Sequence, residues 1–236
     1  MPGGIFSYAL MAALATALLV AAVTDIKRRE IDNTLNLAIA LVAPVWWLAT
    51  GLGWWDVGFQ LALALVTFVV TCALFVVRQM GGGDVKLLTA LALWFAPAPF
   101  LQLVVLMALL GGAGSVAMAA WNLDRRPGES GRSALALGAS ALWVGGALAV
   151  LIALATGRPL LSSAALQSIR DVLPAGWVIA LVVLALLGGF ALGFVHLVQR
   201  QKARMRVPYG VAIALAGIWV LAQQALASAA VSSTVN

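Results

Sequence analysis

The chain has 236 residues, of which 64% are hydrophobic and only 9% charged, and its mean hydropathy is +1.06. A soluble globule carries roughly 25% charged residues to solvate its surface, so a soluble enzyme, a disordered tail and a disulfide scaffold are excluded. The net charge of +6 suits a membrane protein whose Lys and Arg lie in cytoplasmic loops, and no basic face with interleaved aromatics points to nucleic acid.

The first apolar run covers 5–23. No Lys or Arg precedes it, whereas Lys27, Arg28 and Arg29 follow it. It therefore lacks the basic n-region of a signal peptide and reads as a retained helix with its amino end outside. Runs at 35–52 and 57–77 follow. The stretch 85–121 would measure about 55 Å as one helix, far beyond the ~30 Å hydrocarbon core. Ala96-Pro97-Ala98-Pro99 breaks it, because proline removes a backbone donor and restricts the residue before it. That leaves a short helix at 85–96 and a full one at 100–121. Runs at 134–156, 175–198 and 207–227 complete about eight membrane segments, with a frayed tail expected after Ala227. The fold class is all-α, a polytopic transmembrane helical bundle forming a single integral membrane domain.

Charge placement supports the count. The inner connections then hold Lys27, Arg28, Arg29, Arg78, Lys86, Arg125, Arg126, Arg132, Arg200, Lys202, Arg204 and Arg206, and the outer ones only Arg158 and Arg170. This is a positive-inside bias. Trp54, Trp55, Trp94 and Trp177 fall at outer ends and Trp121 at an inner end, where interfacial anchors are expected. Gly189 with Gly193, and the small residues from Gly111 to Ser115, suit close helix contacts. Cys72 is alone, so it has no internal disulfide partner, and no CxxC pair holds zinc. No metal and no cofactor are expected.

Of eight acidic residues, two have an unusual setting. Asp25 closes the first helix at its inner edge, and Asp84 follows Gly81-Gly82-Gly83 at the start of the short fourth helix, again on the inner side. Twelve residues reach only about 18 Å, so Asp84 and its glycines dip below the inner surface or the bilayer thins. Irregular backbone at that depth requires a protein-lined or watered cavity, and an intramembrane carboxylate is a functional-site hypothesis. Two neighbouring carboxylates cannot both ionise readily. A pair sharing one proton can activate water with one member and protonate a peptide carbonyl with the other. Each residue also has a plainer reading: Asp25 as one of an interfacial charge cluster, Asp84 as a helix cap. His196 reads as a packed residue, and Asp56, Asp124, Glu129 and Asp171 as loop charges.

Asp25-Ile26-Lys27-Arg28-Arg29-Glu30-Ile31-Asp32-Asn33 resembles the first aspartate motif of the type IV prepilin peptidases, the GxGD aspartyl proteases of membranes. Gly81-Gly82-Gly83-Asp84-Val85-Lys86-Leu87-Leu88 resembles their second motif, and Val207-Pro208-Tyr209-Gly210-Val211-Ala212-Ile213-Ala214 the segment that opens their last helix. The similarity covers about 5–121 and 205–227, leaving 122–204 as an inserted region with two extra segments. Asp32 stands where the family often has proline. With no cysteine-rich zinc loop, the chain resembles the small, tight-adherence (Flp) type.

The resemblance implies that Asp25 and Asp84 are the catalytic pair, supported by Gly81, Gly83 and Lys86; no substrate-binding residue is assigned. It also implies a prepilin or pseudopilin substrate with a basic leader, cut after a glycine at the cytoplasmic face of a bacterial inner membrane. Glu30 and Asp32 are placed to attract such a leader. Membrane lipid is the other expected partner, nucleic acid is not one, and the oligomeric state is open. Two further classes remain at this stage. An ion- or proton-coupled transporter predicts carboxylates near mid-membrane with repeat symmetry. A non-catalytic membrane subunit of a pilus or secretion system predicts that both aspartates tolerate alanine.

Overall fold

The computed structural model describes residues 4–123, 130–157 and 208–235 continuously, with scattered positions between 159 and 199. Seven helices follow in order: α1 (Ile5–Arg28), α2 (Asn33–Thr50), α3 (Trp54–Val76), α4 (Gly82–Ala92), α5 (Pro97–Trp121), α6 (Ser130–Thr156) and α7 (Tyr209–Val235). Among the described residues there is no β-strand. The fold is all-α and polytopic: six of the helices, all but α4, are long and apolar enough to cross a membrane. The expected break is present but lies upstream of its predicted place, at Leu93–Ala96; Pro97 and Pro99 fall in the first turn of α5, where a missing N–H costs no intrahelical bond. At 11 residues, α4 reaches about 16 Å and does not span. Most of the segment expected at 175–198, with Trp177, Gly189, Gly193 and the basic residues from Arg200 to Arg206, lies outside the described residues, as do Asp124, Glu129 and Asp171.

The chain forms two compact units, one of Met1–Gly111 with Pro208–Asn236 and one of Gly112–Val207. In the first, α1 packs on α2 and α7, and α4 packs on α2, α3 and α7. Phe95, Leu18, Leu87, Leu91, Leu103, Ile213 and Val220 are its fully buried large side chains. Gly111 lies against Tyr209 and Ala212, a close helix contact of the kind its small-residue run suggests. The second unit has its own cluster of Ala119, Leu123, Ala136 and Leu197. His196, in the same unit, is half-buried, its Nε2 without a hydrogen bond among the described residues.

A helix that ends buried among other helices leaves carbonyls that need donors, and three long side chains supply them at the end of α4. Gln60 of α3 donates Nε2 to Ala92 O at 2.7 Å and to Phe95 O at 2.6 Å. Trp47 donates to Leu93 O at 2.7 Å and Trp46 to Trp94 O at 3.1 Å. Trp94 returns its own indole N–H to Ile39 O at 2.8 Å and stacks on Trp46 with ring centroids 5.6 Å apart. The expectation that Trp94 is an interfacial anchor is thus corrected: it is 5% exposed, because the broken helix offers its ring a partner inside. Trp54, Trp55 and Trp121 are exposed. The tail is corrected too. Helix α7 continues to Val235, with Ser228 Oγ 3.0 Å from the Tyr8 hydroxyl of α1 and bonded to Ala225 O.

Candidate active site

Four helix ends meet at one end of the first unit. Asp25 lies in the last turn of α1 and is buried at 6% exposure. The helix stops four residues later, where Arg29 adopts a left-handed φ of 57° and donates its N–H to Asp25 O at 2.9 Å. Residues 29–32 then turn the chain into α2. Asp84 is the third residue of α4, where its Oδ2 accepts the Gly81 N–H at 3.2 Å. This is the back-bond half of a capping box, which satisfies one donor at the helix start.

Cross-helix contacts set the spacing. Asn36, buried in the first turn of α2, donates Nδ2 to Gly83 O at 3.4 Å. Lys86 is exposed and donates Nζ to Asn33 Oδ1 at 2.7 Å. At Gly83 a Cβ would stand 3.2 Å from Ile31 Cβ, and at Gly210 it would stand 2.8 Å from Asp25 Oδ2. Gly210 has a packing requirement that a side chain would violate, and at Gly83 a side chain would require Ile31 to give way slightly. Gly210 and Val211, at the start of α7, turn their backbone amides toward the Asp25 carboxyl, although Oδ2 itself closes no hydrogen bond.

The Asp25 charge acts on Asp84. Asp84 is pushed up to about 6, first by burial and then by the Asp25 charge, against the lowering effect of the Gly81 amide. Below about pH 6 Asp84 holds a proton beside the Asp25 carboxyl, so one member can accept and the other donate. Asp25 Oδ2 and Asn36 Oδ1 are both buried acceptors with no partner among the described residues. They can take hydrogen bonds from water or from a peptide amide.

The structure therefore brings Asp25, Asp84, Gly81, Gly83 and Lys86 to one end of one unit. Glu30 and Asp32 lie exposed on the adjoining loop. Asn36 and the packing role of Gly210 escape a reading of the sequence. The signal for Asn36 was faint: one polar residue, one turn after Asn33, inside an apolar run.

Residues 12–116 match the family model described as the type IV leader peptidase family. That span runs from α1 into α5 and includes both aspartates. A prepilin peptidase of Methanocaldococcus jannaschii is 39% identical over 79 residues, which are 34% of this chain and 21% of that protein. The chain thus aligns with about a fifth of that relative's length. No solved structure matches.

Proposed function

We propose, from the match of residues 12–116 to the type IV leader peptidase family model, that the chain is an intramembrane aspartyl endopeptidase that removes the leaders of prepilin-like proteins. Asp25 and Asp84 are its catalytic pair. The observation that carries this reading is their mutual burial at one end of one unit, where the charge of Asp25 raises Asp84.

Asp84 holds the shared proton, because burial and the Asp25 charge both favour its neutral form. Asp25 takes a proton from water as the hydroxyl attacks the carbonyl carbon of the scissile peptide. Asp84 gives its proton to the carbonyl oxygen, completing a neutral tetrahedral intermediate. Asp25 then passes its proton to the departing amide nitrogen and Asp84 recovers the one it gave as the carbonyl reforms. The carbon–nitrogen bond breaks, and water has been divided between a new carboxyl and a new amine. Gly81 holds the Asp84 carboxyl through its N–H. Lys86 ties the start of α4 to that of α2 through Asn33.

In this reading the amino terminus lies outside and the site faces the cytoplasm of a bacterial inner membrane, an orientation that the positive-inside bias supports. A substrate helix in the bilayer then presents its unwound basic leader at the inner surface. Co-expression with a candidate prepilin, read by the gel shift of leader removal, tests the proposal. Asp25→Asn and Asp84→Asn each abolish the shift if it is right; normal processing by both variants sinks it.

A further inference from the structure

The loop between α1 and α2 buries one apolar side chain between the backbone that precedes Asp84 in α4 and the start of α7, which faces the Asp25 carboxyl. Arg29, Glu30 and Asp32 are exposed, yet Ile31 between them is 7% exposed. Its Cβ lies 3.2 Å and its backbone nitrogen 3.4 Å from the point a Gly83 Cβ would occupy, one residue before Asp84. Its far end reaches α7: Ile31 Cδ1 is 2.7 Å from the point a Gly210 Cβ would occupy, and Asp25 Oδ2 is 2.8 Å from that same point. The δ-methyl and the Asp25 carboxylate therefore share the space in front of Gly210, and the root of the side chain rests against Gly83.

This placement has a consequence for any peptide cut by the pair. Its scissile carbonyl must come to both carboxyls, so the residue bearing that carbonyl is carried to the apolar edge beside Asp25. Ile31 already fills that edge. A side chain on the incoming residue meets the δ-methyl, and the flanking backbone of Gly83 and Gly210 gives Ile31 nowhere to retreat without lifting the loop. We infer that Ile31 is a specificity-determining residue, the wall that restricts the amino-side residue of the cleaved bond to glycine. The inference rests on the peptidase reading above and adds to it the residue that selects the substrate.

The experiment uses the full chain, solubilised or in membranes, and a prepilin-like substrate with a basic leader. The residue before the cut is glycine, alanine or valine, and kcat/KM is measured for the wild type, Ile31→Val and Ile31→Ala. A methylene more or less in an apolar pocket changes discrimination by roughly 10- to 200-fold. The ratio of alanyl to glycyl cleavage therefore rises at least about 10-fold in Ile31→Ala, and by less in Ile31→Val. Ile31→Val keeps the branched carbon against Gly83 and decides the matter where Ile31→Ala does not fold. A ratio that stays constant across the series overturns the inference, as does a wild type that cuts alanyl and glycyl substrates equally well. A wild type that leaves the glycyl substrate intact overturns the peptidase reading itself, which separates the two failures.

Discussion

The starts of α3 and α4 are local twins. Each begins with a glycine cap followed three residues later by aspartate, and each aspartate accepts the glycine N–H at the same 3.2 Å: Gly53 to Asp56, and Gly81 to Asp84. Their surroundings differ. Asp56 is exposed, whereas Asp84 is buried and feels the charge of Asp25. One motif thus serves as a cap in one place and, in our proposal, as a cap and a proton donor in the other. A Gly-x-x-Asp start is a statement about three residues of backbone. Chemistry begins only when other helices desolvate the carboxyl and bring a second one beside it.

The strongest way to break this comparison is to make the same substitution in both twins. Asp84→Asn lowers leader cleavage by roughly 10²- to 10⁴-fold, the usual loss of a general acid, while Asp56→Asn leaves kcat/KM unchanged. Equal losses in the two variants would show that the cap, not the dyad, matters. Next in size is the support that α4 needs and α3 does not. Gln60→Leu strips the side-chain donor from the Ala92 and Phe95 carbonyls, and each buried acceptor left unpaired costs about 1–3 kcal/mol. Thermal unfolding of the solubilised protein reports it as a lower melting temperature.

Proton linkage sharpens the contrast further. Because Asp84 is raised from the ordinary 3.8 to about 6, the folded protein binds more protons than the unfolded chain between those values. Stability therefore falls as pH rises through that window, and the loss is complete above about 6. Asp84→Asn removes this dependence, so its melting temperature gains on the wild type from pH 4 to pH 7; a constant difference would contradict the burial argument. The smallest effect is at the exposed twin. Asp56→Ala loses only a cap, about 0.5–1 kcal/mol, with cleavage unaltered.

Much of the architecture was legible because hydropathy and proline act locally. The helix break before Pro97, the short α4 and the placement of Asp25 and Asp84 at one end follow from run lengths and crossing counts. The inward role of Trp94, the clamp by Gln60 and the burial of Asn36 did not follow. In a bilayer the lipid is as apolar as the protein interior, so a hydrophobic run does not tell its buried face from its lipid face. A lone Trp, Gln or Asn in such a run shows no side. Trp94 illustrates the point: it stands where an interfacial anchor would, yet its indole N–H finds the Ile39 carbonyl of α2 and its ring stacks on Trp46.

By itself, then, the sequence determined that the chain lives in a membrane, which runs form its helices to within a few residues at most ends, and that Asp84 follows a glycine turn at a helix start; Asp56, read as a loop charge, proves to cap α3 in the same way. Those outcomes depend on apolar length and on hydrogen bonds closed within a few residues. Only the tertiary structure decided which of the two capped aspartates loses its water and acquires a charged neighbour. Desolvation is summed over atoms from several helices, and the Asp25 carboxyl comes from a position 59 residues away in the chain. No local rule contains either term.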